Sequence, residues 1–106
     1  MTFTDSARLT VDTIFNKFGR AATYQLMSGE QRSILVIWRM PDRTGGLAES
    51  FVHTGTDLFE LRKSEIDNPL SNELIYLEGF QYKIYGEPRL DQHGLVWKLE
   101  AYRQDV

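Results

Sequence analysis

The sequence predicts a mostly-β (α+β) fold: a small β-barrel or sandwich of about six strands with one N-terminal α-helix. Two periodicities indicate this fold. Before Gly19 the apolar residues recur at helical spacing, and after it they recur with a period of two in about six short segments. A chain of 106 residues is the size of one domain with one hydrophobic core. We therefore expect residues 1–106 to form a single domain, with the helix at about 5–18 and the β region at 22–102.

The N-terminal helix is predicted by five apolar residues that share one face of the segment 5–18. They are Ala7, Val11, Ile14, Phe15 and Phe18. Thr4 or Asp5 can cap the helix, because a side-chain oxygen there accepts a hydrogen bond from a backbone N–H that lacks a helical partner. Gly19 is suited to the left-handed residue that ends many helices. We expect Phe15 and Phe18 to anchor the helix on the sheet.

Six segments with strand character follow Gly19. They are residues 22–27, 31–40, 57–63, 73–77, 80–85 and 95–102. The second segment is the strongest, because its inner residues 34–38 (ILVIW) are all apolar, which indicates a central strand covered on both faces. The dipeptide Glu78-Gly79 predicts a hairpin, and residues 91–94 (DQHG) predict a turn before the last strand. Residues 86–88 (GEP) are expected to break or bend the chain after the fifth segment.

A long loop separates the second and third predicted strands. Residues 41–56 (PDRTGGLAESFVHTGT) are rich in Gly, Thr and polar residues, and loops of this length are usually functional or disordered. Ordering such a loop costs about 1–2 kcal/mol per residue in backbone entropy, so a partner surface would be needed to offset it. We therefore expect a mobile loop that contacts a protein partner. The predicted contact residues are Arg43, Thr44, Gly45, Gly46, Leu47, Phe51, Val52 and His53. The alternative is an ordinary long hairpin in which Phe51-Val52 forms a short strand.

Composition and charge exclude several classes of protein. The chain has no cysteine, which excludes disulfides, thiolate zinc sites, iron–sulfur clusters and a cysteine nucleophile. The net charge is −3 and the basic residues are scattered, whereas nucleic-acid binders usually carry clustered Lys and Arg. Residues 54–106 hold ten acidic and six basic side chains, which suits docking on a basic protein surface, although a solvated surface is the favoured interpretation. We expect a soluble, unsecreted chain, because residues 34–38 form the longest apolar run and the N-terminus has no signal-peptide pattern.

No residue pattern indicates an enzyme. The two histidines, His53 and His93, are far apart in sequence and both fall in predicted loops, so they do not indicate a metal site. The serines lack a nucleophile-elbow context, and Gly45-Gly46 is not followed by the Lys-Ser/Thr of a phosphate-binding loop. We expect no catalytic residue, no cofactor and no metal.

Aromatic residues are spread over the predicted strands, and seven of them are candidates for a stacking platform. They are Tyr24, Trp38, Phe59, Tyr76, Phe80, Tyr82 and Trp97. One interpretation is an OB-like module that stacks single-stranded nucleic acid on Tyr82, Tyr85 and Trp97. Such a platform works together with a basic groove, which this acidic chain does not predict. Core packing is therefore the favoured interpretation.

Several short sequences occur in a characteristic order over nearly the whole chain. They are residues 22–24 (ATY) after the helix, an apolar strand ending at Pro41-Asp42, residues 59–66 (FELRKSEI), residues 80–88 (FQYKIYGEP) and residues 91–99 (DQHGLVWKL). None is a catalytic signature. In their joint order the chain resembles the small head–tail joining (head–tail attachment, connector) proteins of long-tailed, lambda-like bacteriophages and prophages.

The resemblance implies a structural virion protein that joins the DNA-filled head to the tail and is not an enzyme. It implies a fold related to tail-tube and tail-terminator subunits, binding to head connector or portal-completion proteins and to tail proteins, and self-association into a ring, expected to be a hexamer. It also implies assembly in the bacterial host cytoplasm, no specific nucleic-acid recognition and no membrane. A ring neighbour would extend or cover the strand edges of the barrel, and the loop at 41–56 would be an arm that orders on assembly.

Overall fold

The structure, a computed structural model, describes residues 3–39 and 55–104, which form one helix and six strands. The elements are α1 (Phe3–Phe18), β1 (Arg20–Gln25), β2 (Gln31–Arg39), β3 (Thr56–Arg62), β4 (Leu74–Leu77), β5 (Phe80–Leu90) and β6 (Val96–Gln104). All strand pairs are antiparallel, and the strands close into a barrel in the order β1-β2-β3-β6-β5-β4. The predicted fold class is confirmed, and of the two predicted architectures the structure is the barrel.

Alternate residues of each strand point into the barrel and form its core. On β2, Ile34 and Val36 are buried, whereas Leu35 and Ile37 on the outer face are half-buried. Helix α1 lies against β2, so this strand is covered fully on its inner face and partly on its outer face. The interior cluster consists of Ala22, Tyr24, Ile34, Val36, Phe59, Leu61, Ile66, Ile75, Leu77, Tyr82, Ile84, Leu99 and Ala101.

Closure of the barrel removes the free strand edges that the sequence suggested for a ring neighbour. β1 pairs with β4 through residues 23–25 opposite residues 74–76, which joins the first strand of the order to the last. Each strand therefore has two neighbours within the described ranges, and a closed barrel offers no complete edge strand for a partner to extend. The prediction of an extendable edge is wrong for this reason, and contacts with a partner would have to be made by side chains and loops.

Helix α1 begins earlier than the sequence predicted and uses fewer anchors. Because its first residue is Phe3, Thr4 and Asp5 lie inside the first turn and are not N-caps. Phe15 is buried as predicted, and the Arg62 guanidinium lies 5.4 Å from the centre of its ring. Phe18 is not an anchor, because Phe15 fills the contact with the barrel one turn earlier and leaves Phe18 61% exposed.

Gly19 ends the helix through a close approach rather than through a left-handed conformation. Its φ is not positive, so the predicted conformational role is wrong. A Cβ at this position would lie 2.4 Å from the carbonyl oxygen of Phe15 and 3.2 Å from the Cβ of Leu35. Only glycine fits where the end of α1 passes so close to β2.

One strand is shifted from its predicted position and another is longer than predicted. β1 runs two residues earlier than 22–27, because residues 26–30 form the turn to β2. β5 continues through residues 86–88, where a break was expected, and three residues there face one residue of β6 in a β-bulge. The predicted hairpin at Glu78-Gly79 is confirmed, and both residues have the positive φ that a tight hairpin turn requires.

Candidate interaction surface

The eight contact residues predicted from the sequence, at positions 43–47 and 51–53, lie outside the described residues. Their assignment therefore stays a prediction. The structure does describe both points from which this segment leaves the barrel, Arg39 at the end of β2 and Gly55 before β3. These points lie on adjacent strands, since Arg39 pairs with Leu58.

Each end of the barrel carries different connections. At one end β2 finishes, β3 begins, α1 passes into β1, β6 finishes, and the Glu78-Gly79 turn joins β4 to β5. We call this the loop end. At the other end lie the β1–β2 turn, residues 63–73 and the β5–β6 turn, and we call this the turn end. The predicted contact loop leaves from the loop end.

Aromatic rings and basic side chains meet at the loop end. The Arg20 guanidinium lies 5.1 Å from the Trp38 ring, and its Nη1 is 2.8 Å from Oε1 of Glu78. Trp38 Nε1 donates a hydrogen bond of 2.9 Å to Asp57. The Arg103 guanidinium lies 4.6 Å from the centre of the Phe80 ring. Charge–ring contacts of this kind contribute about 0.5–1 kcal/mol each at exposed sites.

Two large rings at the loop end are exposed to solvent. Phe18 is 61% exposed with Lys17 Nζ 5.5 Å from its ring, and Phe80 is 48% exposed. The ion pair between Arg20 and Glu78 lies two residues from each ring along the chain, and so it connects the two. We call Phe18 and Phe80, with Lys17, Arg20 and Arg103, the aromatic patch. Aromatic residues and Arg are the residue types that contribute most to protein interfaces.

Beneath the loop end, the aromatic residues of the core are sealed from solvent. Tyr82 is 4% exposed and packs edge-on against Phe59 with 5.0 Å between ring centres. Burial raises the pKa of Tyr82, and the nearby charge of Asp57 raises it further. Tyr82 therefore cannot stack a base, and the nucleic-acid platform predicted for Tyr82, Tyr85 and Trp97 loses one of its three rings.

An open groove lies on the outer face of the barrel beside the β5 bulge. It has a volume of about 360 Å³ and is lined by β3, β5 and β6 together with the last residue of β2. Its walls carry both signs of charge, including the ion pair between Arg39 and Glu60 at 3.0 Å. Small-molecule sites are instead lined mainly by apolar side chains with a few convergent polar groups.

The turn end is organised around a buried carboxylate. Glu73 accepts hydrogen bonds from the Tyr24 hydroxyl, from the Met27 backbone N–H at 2.9 Å and from the Leu70 backbone N–H at 2.9 Å. Burial, followed by the hydrogen bond to Glu73, raises the pKa of Tyr24 far above its usual value, so this hydroxyl stays protonated. The carboxylate thus joins the β1–β2 turn to the loop before β4.

The same network exposes two apolar side chains. Met27 is 64% exposed and Leu70 is 45% exposed, and their backbone N–H groups bond to the same carboxylate of Glu73. Glu30 lies in the same turn as Met27, and Asp67 lies in the same loop as Leu70. We call Met27, Glu30, Asp67 and Leu70 the acidic patch.

A second polar network attaches α1 to the barrel near the turn end. Arg62 forms ion pairs with Asp12 of the helix at 2.9 Å and with Glu65 at 2.8 Å, and Glu65 also accepts a hydrogen bond from the Leu35 N–H. Desolvation alone would lower the pKa of Arg62, but the hydrogen bonds to Glu65 and Asp12 outweigh it and raise the pKa. Arg62 therefore serves to hold the helix in place.

The described part of the chain holds neither a metal-ligand cluster nor a membrane-spanning helix. Across residues 3–39 and 55–104, no group of three or more His, Asp and Glu side chains is placed to hold a metal ion. Helix α1, the one helix in that part, is too short and too polar to cross a bilayer. His93 lies in the turn between β5 and β6, and His53 lies outside the described residues.

Sequence reasoning missed both patches. The aromatic patch joins residues 17–20, 80 and 103, and the acidic patch joins residues 27–30 and 67–70. Neither set forms a motif, because each is brought together only by closure of the barrel. A weak signal was present in Phe18, which extends the apolar stripe of α1 past the last residue needed for packing.

Comparison with known families agrees with the architecture. The sequence profile of the family described as Phage Head-Tail Attachment protein matches residues 3–101, which include α1 and nearly all of the barrel. No curated protein is significantly similar to the chain. Because the family match spans far more than half of the 106 residues, the chain belongs to the phage head–tail attachment family, a family of structural phage proteins.

Proposed function

We propose that this chain is a structural virion protein, without enzyme activity, that joins the DNA-filled phage head to the tail as one subunit of a ring. The observation that carries the proposal is the family match over residues 3–101. The exposed rings and cations at the loop end support it, because these residue types form the centre of many protein interfaces.

The proposed partners are a head connector or portal-completion protein on one side and a tail-terminator or tail protein on the other. A joining protein needs two faces that bind different partners. We propose that the subunits form a hexameric ring in the virion, assembled in the host cytoplasm.

Thr56 is the buried first residue of β3, so the loop predicted at 41–56 ends before it. We further propose that the rest of this loop is a contact arm, through Arg43, Thr44, Gly45, Gly46, Leu47, Phe51, Val52 and His53. The support is its sequence composition and its two attachment points at the loop end, beside the aromatic patch. An arm that orders on binding makes assembly sequential, because its ordering entropy is offset only when the partner surface is present.

Shortening the arm tests this proposal. Arg39 and Leu58 are paired, so a short Gly-Ser linker in place of residues 44–54 can connect β2 to β3 without strain on the barrel. We expect a folded protein, verified by circular dichroism and urea denaturation, that no longer joins purified heads to purified tails. Joining at the wild-type level would show that the arm is dispensable. A second variant keeps the arm at its natural length but scrambles its sequence. It separates the effect of the arm's length from the effect of its contact residues.

Loss of the whole protein tests the joining role itself. Electron microscopy of lysates made without this chain should show full heads and free tails, and adding the purified protein should restore joined particles. Normal joined particles in its absence would contradict the proposed function.

A further inference from the structure

The aromatic patch and the acidic patch are complementary in residue type and in charge. The aromatic patch offers the rings of Phe18 and Phe80 with basic neighbours, and the acidic patch offers the flexible side chains of Met27 and Leu70. Contacts between methionine sulfur and an aromatic ring contribute about 0.3–1.5 kcal/mol. Each patch exposes apolar groups that a monomer has no need to expose together.

The exposed charged groups also differ between the two ends. At the turn end, the side chain of Asp67 is 87% exposed and that of its partner Lys63 only 37%. At the loop end, the side chain of Arg39 is 66% exposed and that of its partner Glu60 only 17%. Glu30 is likewise more exposed than its partner Arg32 at the turn end, whereas within the aromatic patch Glu78 is slightly more exposed (57%) than Arg20 (47%). The acidic patch therefore presents its acids to solvent, and the aromatic patch sets three cations, Lys17, Arg20 and Arg103, against the one carboxylate of Glu78, so the two patches attract each other.

We propose that the aromatic patch of one copy binds the acidic patch of the next copy of this chain. The contact joins two different surfaces of the same chain, and such a contact closes into a ring when the rotation between neighbours divides a full turn. The inference deepens the proposed function and rests on it, because it assigns the ring contact to named residues.

The buried carboxylate gives the acidic patch a fixed geometry. Glu73 holds the Met27 and Leu70 backbones at 2.9 Å each, so the two apolar side chains are positioned before a neighbour arrives. Positioning in advance lowers the entropy that binding would otherwise cost. On the other side, the ion pair of Arg20 with Glu78 links the chain two residues after Phe18 to the chain two residues before Phe80.

Disulfide trapping tests the contact directly, because the natural chain has no cysteine. Phe18→Cys and Met27→Cys are introduced together, and the protein is oxidised both concentrated in solution and in assembled particles. The two positions lie at opposite ends of one barrel, so a bond between them must join two copies. We expect a ladder of multimers on a non-reducing gel, while each single-cysteine variant gives dimers at most.

The matched control pairs Leu9→Cys with Met27→Cys. Leu9 is 53% exposed on the same helix but lies nine residues before Phe18, which places it on the opposite side of α1. The inference would be overturned by equal cross-linking in the two double variants. In that case Phe18→Cys with Met27→Cys gives a ladder no stronger than the control ladder, both in solution and in particles. If the thiol introduced by Phe18→Cys cross-links to a different virion protein, or is protected by an oligonucleotide, and no ladder forms, the inference is overturned too.

Charge reversal gives an independent test on Lys17 and Asp67. Lys17→Glu and Asp67→Lys should each weaken self-association about tenfold, because like charges then face each other in the contact. The double variant K17E/D67K places opposite charges together again and should recover the wild-type association. Equal weakening in the double variant would contradict the contact.

Failure of this inference is distinguishable from failure of the proposed function. If the wild-type protein joins heads to tails and no ladder forms, the contact is wrong and the joining role stands. If the ladder forms and the protein does not restore joining, the contact stands and the joining role is wrong.

Discussion

The two ends of this barrel are stabilised by different kinds of interaction. At the turn end, the Glu73 carboxylate is buried and receives three hydrogen bonds within the protein. At the loop end, the polar groups are half-exposed and pair with aromatic rings at the surface. Buried polar bonds are costly to break, whereas exposed ion pairs contribute little to folding. The Glu73 network therefore contributes more to stability than the polar contacts of the loop end, whose residues can serve binding.

Glu73→Ala should have the largest effect on stability. It leaves the Tyr24 hydroxyl and the Met27 and Leu70 N–H groups without their acceptor in a buried site. We expect the free energy of unfolding to fall by about 3 kcal/mol, measured by urea denaturation. The matched control is Glu78→Ala at the loop end, which removes one exposed ion pair and should cost less than about 1 kcal/mol. Equal losses in the two variants would show that the ends do not differ.

The Tyr24 hydroxyl should make stability depend on pH in the alkaline range. Burial first, and the bond to Glu73 second, raise the pKa of Tyr24 above its ordinary value of 10.0. The folded protein keeps this proton where the unfolded chain loses it. The stabilisation is therefore complete below pH 10 and is lost as the pH rises above it, by about 1.4 kcal/mol per pH unit.

Tyr24→Phe isolates this contribution. The variant lacks the titrating hydroxyl, so its free energy of unfolding should fall less steeply between about pH 10 and pH 11 than that of the wild type. Urea denaturation of both proteins across this range measures the two slopes. If the free energy of unfolding falls equally steeply with pH in both proteins, Tyr24 does not titrate differently in the folded and unfolded states.

The sequence predicted the barrel well because one face of each strand is inside it. Ile34 and Val36 on β2 and Leu99 on β6 follow the period of two that closure of a barrel requires. The break expected at residues 86–88 was wrong for a physical reason. Gly86 and Pro88 indicate correctly that the hydrogen-bond ladder of β5 is interrupted. They do not indicate that β5 resumes at Arg89, because this depends on pairing with Lys98 of β6.

The candidate site was harder to predict than the fold. Periodicity identifies the apolar stripe of α1, but it does not show how far along the helix that stripe stays in contact with the barrel. The prediction of Phe18 as an anchor was wrong for this reason. Glu73 follows a loop and begins no motif, and its burial depends on Tyr24, which is 49 residues away in sequence. The contact loop at 41–56 was predicted from composition alone, because unusual length and polarity are local properties of a sequence.

The two tryptophans provide a smaller, closely matched comparison. Trp38 Nε1 donates to Asp57 at the loop end, whereas Trp97 Nε1 is buried without a hydrogen-bond partner among the residues that the structure describes. Both Trp→Phe variants lose ring volume, and only Trp38→Phe loses a hydrogen bond to a carboxylate. We expect Trp38→Phe to lower the free energy of unfolding by about 1 kcal/mol more than Trp97→Phe does. A larger loss for Trp97→Phe would indicate that its N–H is satisfied in solution.

Phe80→Ser should have the smallest effect on stability and separates stability from binding. The Phe80 ring is half-exposed and its main contact is the Arg103 guanidinium at 4.6 Å, so we expect a loss below about 1 kcal/mol. Its control is Leu90→Ser, which removes a similarly exposed apolar side chain from the turn end of the same strand, outside both patches. In a joining assay, Phe80→Ser should reduce the yield of joined particles far more than Leu90→Ser does, because interface energy is concentrated in aromatic residues. Equal yields at equal stability would place the binding surface elsewhere than at the loop end.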